Sequence, residues 1–226
     1  MPTLPAPFLL AGALLTALLA IISAPWGLDQ PWLNFVFKPL TTLLIIGYAW
    51  TRGIGPQRAW VLAGLAWSLC GDVALLWPRQ GFLPGLVSFL IAHLCYLVAF
   101  TRDVRLAARV GPFVFYGVVA GLILWRLWPG VPAALRAPVV AYVLCLASMA
   151  AQAAVVGWRA HGTTGQNRGL LLALGGALFV LSDALLAINR FATPLPLSGL
   201  WILCSYWLAQ ICIASWLPPR PNLTSP

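Results

Sequence analysis

Short polar breaks cut the chain into eight apolar runs. They lie at about residues 6–24, 33–50, 58–77, 84–101, 110–128, 132–158, 168–189 and 198–217. A run of about 18 or more apolar residues is long enough to cross the hydrocarbon core of a bilayer as a helix. Lipid offers the backbone no hydrogen bonds, so each run must close its own by coiling into a helix. The expected fold is therefore all-α: a polytopic membrane helix bundle with eight transmembrane helices. It forms one integral membrane domain over residues 1–226, with a membrane core at 6–217 and a polar tail at 218–226. Only 8% of residues are charged, against about 25% in an average soluble domain, so a water-facing surface could not be built from this sequence.

The breaks carry the residues that end helices. "TRGIGPQ", "WPRQGFLP", "WPGVPAALRAP" and "NRFATPLPLS" each hold Pro, Gly, Asn or Arg. Trp26, Trp32, Trp50, Trp60, Trp77, Trp128, Trp158 and Trp216 fall at the ends of runs, as an interfacial aromatic belt requires. The first run has no basic segment before it and is long for a signal peptide, so it is expected to stay as a membrane helix.

The net charge is +9, and all but one of the basic residues are arginine. They are scattered singly through the loops rather than gathered into a stripe, which argues for topology signals and against nucleic-acid binding. Arg52, Arg58, Arg102, Arg105, Arg109, Arg159, Arg168 and Arg220 fall on one side; Arg79, Arg126, Arg136 and Arg190 fall on the other. The imbalance puts both termini in the cytoplasm. The bias to arginine over lysine suggests a GC-rich bacterial source, hence the inner membrane. The five cysteines all lie within runs, are odd in number and include no CxxC pair. They read as packing residues rather than as disulfides or zinc ligands.

Ionisable groups at membrane depth are costly, so each requires a reason. Four stand out: Lys38, Asp72, His93 and Asp183. Lys38, Asp72 and Asp183 each lie five or six residues from the same end of their runs, which is roughly 8–9 Å down at 1.5 Å per residue. His93 and Tyr206 come out slightly deeper, at about 12–14 Å by the same rise. Five polar side chains from five helices thus share one layer and can meet in one cavity. Asn34, Lys38, Thr41 and Thr42 share a helix face, as do Ser68 with Asp72, His93 with Tyr96, and Tyr206 with Gln210. "LCGDVALL" at 69–76 also echoes "VLSDALLA" at 180–187, which suggests two parallel four-helix repeats with a site between them.

Each of these residues also has a plain structural reading. Lys38 could extend to the interface, His93 could be a packed core histidine, and Tyr206 and Gln210 could be interhelical glue. The two aspartates are harder to explain so, because neither has a basic residue one turn away. Burial disfavours a charged carboxyl, and a second carboxyl nearby drives the two apart, one an acid and the other an anion. Such a pair suits acid-assisted ether hydrolysis, and it equally suits proton relay in a small proton-coupled transporter. No GxSxG, P-loop or HExxH occurs, and no His/Asp/Glu cluster has metal-ligand spacing.

The segments "FKPL" (37–40), "SLCGDVALLW" (68–77), "FLPGLVSFLIAHLCYLVAF" (82–100), "ALFVLSDALLAINRF" (177–191) and "YWLAQ" (206–210) resemble, in order, those of the YhhN-like lysoplasmalogenase family. The resemblance covers about residues 8–217. It implies an eight-helix membrane enzyme that cleaves the vinyl ether of lysoplasmalogens to a fatty aldehyde and a glycerophospho-head-group. By motif, Asp72 and Asp183 would be the catalytic carboxylates, and Lys38, His93, Tyr96, Tyr206 and Gln210 would line the same site and bind substrate; Asn34, on the helix face of Lys38, is expected to bind substrate with them. The implied partners are a lysophospholipid-type substrate and the bilayer, with no metal or organic cofactor. One departure is Trp207, where the family usually has a second tyrosine. The resemblance leaves open which aspartate is the acid.

Overall fold

A computed structural model describes residues 5–220 apart from Pro25 and Pro78, so the expected tail is seen only to Arg220. The described residues form eight α-helices: α1 (Ala6–Ile22), α2 (Pro31–Thr51), α3 (Pro56–Ala74), α4 (Phe82–Phe100), α5 (Val110–Leu127), α6 (Ala133–Arg159), α7 (Gln166–Phe191) and α8 (Ser198–Trp216). A single 3₁₀ turn, Trp128–Gly130, links α5 to α6. All eight expected runs are helices, with boundaries within a few residues of the loop signals. Proline opens α2 and α3, where the first N–H has no partner to lose.

Six helices are long and apolar enough to cross a membrane: α2, α4, α5, α6, α7 and α8. Of the other two, α1 has 17 residues, and α3 is diluted by Gln57, Arg58, Ser68 and Asp72. Consecutive helices pack together with one exception. After α4 the chain packs α5 onto α6, and more lightly onto α7, while α4 itself packs on α6. The space between α4 and α5 is left open. The ring closes where α8 meets α1 and α2. Under a shift of four helices, the α4–α6 contact corresponds to the α8–α2 contact.

Two side chains hold the arginine-rich end together. At the end of α2, Arg52 donates from Nε to the Leu217 carbonyl and from Nη2 to the Ser215 carbonyl, at 3.1 Å each. These are carbonyls that the end of α8 leaves unpaired, and a cation there also suits the helix dipole. Gln152, fully buried in α6, donates from Nε2 to the Val104 carbonyl at 2.9 Å and accepts from the Ala107 N–H at 3.2 Å. It thereby pins the α4–α5 connection.

At the opposite end, glycine sets how closely α3 and α4 approach. A Cβ on Gly71 would come within 2.5 Å of the Phe89 ring, and one on Gly64 within 2.3 Å of the Tyr96 ring. Real Cβ atoms do not approach so closely, so only glycine lets these rings lie flat on α3. Asp72 follows Gly71 on α3, and Phe89 lines the same cavity as that carboxyl.

Candidate active site

The site is built at the end of the bundle that carries the α1–α2, α3–α4, α5–α6 and α7–α8 connections. There a cavity of about 320 Å³ is lined by Lys38, Asp72, Phe89, Ser182, Asp183, Asn189, Arg190 and Tyr206, with Leu75, Phe82, Leu186, Ile202 and Leu203. Both aspartates face it, as their equal depth on α3 and α7 anticipates. They exchange no hydrogen bond, and each has its own set of partners.

Asp72 is enclosed, with its side chain 1% exposed. Thr42 donates to its Oδ2 at 2.6 Å and Tyr206 donates to the same oxygen at 2.8 Å. Lys38 Nζ lies 3.7 Å from Oδ1. The lysine therefore turns inward to the carboxylate instead of extending to the interface. Three donors around one carboxyl are what an anion needs when water is absent.

Trp207, the position at which the sequence departs from the resemblance, stands behind this cluster. Its Nε1–H donates to Thr42 Oγ1 at 3.3 Å. With its oxygen occupied in this way, the Thr42 hydroxyl directs its own hydrogen at Asp72. The indole thus retains a donor at this position.

Asp183 is more open, with its side chain 13% exposed. It accepts one hydrogen bond, from the Tyr142 hydroxyl to Oδ2 at 2.5 Å. His93 Nε2 faces the same oxygen at 3.6 Å, too far for a hydrogen bond as the atoms stand. On the other side of the ring, His93 Nδ1 is 2.5 Å from the Phe89 carbonyl. A carbonyl only accepts, so Nδ1 carries a hydrogen. In the neutral ring Nε2 is then a lone pair, buried and unpartnered among the described residues. Phe179 packs edge-on against His93, with centroids 4.7 Å apart, and against Tyr206 at 5.6 Å. One aromatic ring thereby separates the two partner sets.

The two sets share a layout. Asp72 on α3 takes groups from α2, the helix before it, and from α8. Asp183 on α7 takes groups from α6, the helix before it, and from α4. These pairs again correspond under a shift of four helices.

Not every expected site residue lines the cavity. Tyr96 is fully buried one turn beyond His93 and donates to Gln210 Oε1 at 2.6 Å, so the two meet behind the cavity wall. Gln210 Nε2 has no partner among the described residues. Asn34 is half-buried one turn before Lys38, and its Oδ1 is likewise unpartnered. Tyr142, which sequence reasoning passed over, makes the closest contact to Asp183. A signal for it existed: it lies ten residues into its run, about 15 Å down, level with His93 and Tyr206. Among the described residues, no group of three or more His, Cys, Asp or Glu side chains could hold a metal ion.

The chain is 35% identical over 203 residues to the lysoplasmalogenase TMEM86B of Sus scrofa, covering 86% of this chain and 80% of that protein. It is 30% identical over 189 residues to the lysoplasmalogenase TMEM86A of Homo sapiens, covering 81% and 77%. It is 32% identical over 187 residues to a lysoplasmalogenase of Mycobacterium bovis, covering 79% and 68%. No solved structure matches significantly. The sequence profile of the YhhN family matches residues 33–217, a stretch that holds every residue lining the cavity, and the chain belongs to that family.

Proposed function

We propose that this chain is a lysoplasmalogenase: it hydrolyses the vinyl ether of a lysoplasmalogen to a fatty aldehyde and a glycerophospho-head-group. The relatives named above carry that activity in their names. The observation that carries the reading to this chain is the pair of carboxyl groups on one cavity, each held by different donors.

The different donors support different roles for the two carboxyls. Asp72, with Lys38, Thr42 and Tyr206 around it, is held as the anion. Asp183 faces the lone pair of His93 Nε2, and two acceptors facing each other repel unless one carries a hydrogen. The neutral arrangement that satisfies both puts the proton on Asp183. Asp183 is also the more exposed of the two carboxyls, and a turn of its carboxyl swings that proton from His93 to a ligand in the cavity. It protonates the outer vinyl carbon, and the electron pair of the double bond forms the new C–H bond. The positive charge that results is shared between the inner carbon and the ether oxygen. Asp72 stabilises this oxocarbenium ion as a fixed negative charge in a site of few waters. Water adds to the cationic carbon and loses a proton to the vacated Asp183 carboxylate. The hemiacetal then passes its hydroxyl proton to the ether oxygen and breaks the C–O bond, releasing aldehyde and alcohol. Tyr142 and His93 hold Asp183, while Tyr96 and Gln210 brace the wall behind it. Asn34, one turn before Lys38 on α2, keeps its Oδ1, unpartnered among the described residues, for the substrate.

The same reading takes residues 1–226 as one membrane domain with eight crossings. At 1.5 Å per residue α1 and α3 reach about 26–28 Å, close to the hydrocarbon thickness of a bilayer. The arginine-rich end faces the cytoplasm of a bacterial inner membrane, and the cavity opens toward the other leaflet. The two halves are parallel repeats, which the matching partner layouts of Asp72 and Asp183 support.

The deciding experiment incubates purified protein in detergent with a lysoplasmalogen and follows the aldehyde by mass spectrometry. Asp72→Asn and Asp183→Asn are each expected to abolish release while the variants still fold. Near-wild-type turnover by either would refute the two-carboxylate mechanism.

A further inference from the structure

A second, apolar chamber of about 90 Å³ lies against the first cavity, in the gap left where α5 does not close onto α4. The two spaces share Leu75, Phe82, Phe89, Asp183 and Leu186 in their walls. Beyond these, the chamber is lined by apolar side chains such as Ala120, Ile123 and Val143, with Tyr116 and Tyr142 its polar members. The first cavity is different in kind. At its rim stands Arg190, in the last turn of α7, with its guanidinium carbon 5.0 Å from the centroid of the Phe82 ring. Lys38 is engaged by Asp72, whereas Arg190 makes no ion pair among the described residues. Arg190 is seven residues beyond Asp183 on the same helix. Seven residues are two turns, so both side chains leave one face, about 10 Å apart along the axis.

We infer that the two spaces read a lipid in two halves: Arg190 binds the phosphate, and the first carbons of the chain enter the chamber between α4, α5, α6 and α7, with the rest leaving through the gap between α4 and α5. The juncture of head group and chain is then presented to Asp183, the one ionisable residue common to both walls. This orientation rests on the hydrolase reading for the reaction it serves, but the binding it describes does not depend on turnover. A glycerol spacer covers the stretch between the carboxyl and the reach of the guanidinium. Arginine suits a phosphate because its fork of donors can engage two oxygens at once. The Phe82 ring steadies the cation without neutralising it.

The test measures binding in detergent of two lipids that cannot be hydrolysed: a 1-O-alkyl glycerophosphoethanolamine and the 1-O-alkylglycerol that lacks its phosphate. For wild type the phosphate-bearing lipid is expected to bind more tightly. In Arg190→Gln the ratio of the two affinities should fall about tenfold, as loss of one charge-assisted contact implies. Arg190→Lys should restore part of it. An unchanged ratio in Arg190→Gln would overturn the phosphate assignment. Ala120→Phe, which fills the chamber, should weaken long-chain lipids more than short-chain ones, and equal weakening would overturn the chain assignment. Aldehyde release from lysoplasmalogen is measured on the same wild-type preparation. Selective binding without release would refute the hydrolase reading and leave the orientation standing. Release with unselective binding would do the reverse.

Discussion

The Tyr142 hydroxyl donates to Asp183 Oδ2 at 2.5 Å, the shortest contact that either carboxyl makes. It sets the rotamer of the residue assigned as the acid. Tyr142→Phe keeps the ring, which packs on His93 at 5.3 Å, and removes only the donor. Loss of one buried hydrogen bond of this kind is worth about 1–3 kcal/mol, so the melting temperature is expected to fall, and turnover with it by roughly 10–100-fold as the acid loses its fixed position. Aldehyde release by the purified variant is the readout, and wild-type turnover would remove Tyr142 from the site.

Lys38 and Asp72 form a buried pair, and removing one member strands the other. Lys38→Met should destabilise the protein by about 3–5 kcal/mol, seen as a lower melting temperature in detergent. Adding Asp72→Asn to it should recover most of that stability without restoring turnover. If the double variant melts no higher than the single one, the pair is not what holds α2 to α3.

Trp207 acts on Asp72 only through Thr42. Trp207→Phe removes the Nε1–H that occupies the Thr42 oxygen, and the freed hydroxyl can rotate away from the carboxylate. A several-fold loss in kcat is expected, with KM little altered. Trp207→Tyr, which keeps a donor, should retain more activity than Trp207→Phe. The reverse order would show that ring size, not the hydrogen bond, matters here.

Gly71 admits the Phe89 ring, and the Phe89 carbonyl in turn holds His93 Nδ1. Gly71→Ala should overpack this contact at a cost of about 1–3 kcal/mol and displace His93 from Asp183. Both melting temperature and turnover are expected to fall. Combining it with Phe89→Leu, which vacates the space, should recover stability first. Unchanged melting in Gly71→Ala would mean that α3 and α4 have slack the packing does not suggest.

The helices and the depth of their polar groups can be read along the chain. Both are local properties: an apolar run in lipid must form a helix, and a fixed rise per residue converts position into depth. That is why the layer holding Lys38, Asp72, Asp183, His93 and Tyr206 was legible, and why the helix ends fall where Pro, Gly and Asn interrupt the runs. Which group meets which was decided only in the tertiary structure. It depends on how each helix is rotated and how closely it approaches its neighbours, and contacts between distant residues set both. Gly71 against Phe89 brings α4 onto α3, and Phe179 separates the partners of Asp72 from those of Asp183. Tyr96 and Gln210 share faces with His93 and Tyr206, yet they turn toward each other behind the cavity. Tyr142 shares their depth, but unlike Tyr96 and Tyr206 it has no His, Gln or charged residue one turn away on its own helix to mark its face as polar. Depth is written along one helix, whereas partnership is a relation between helices, and only their packing supplies it.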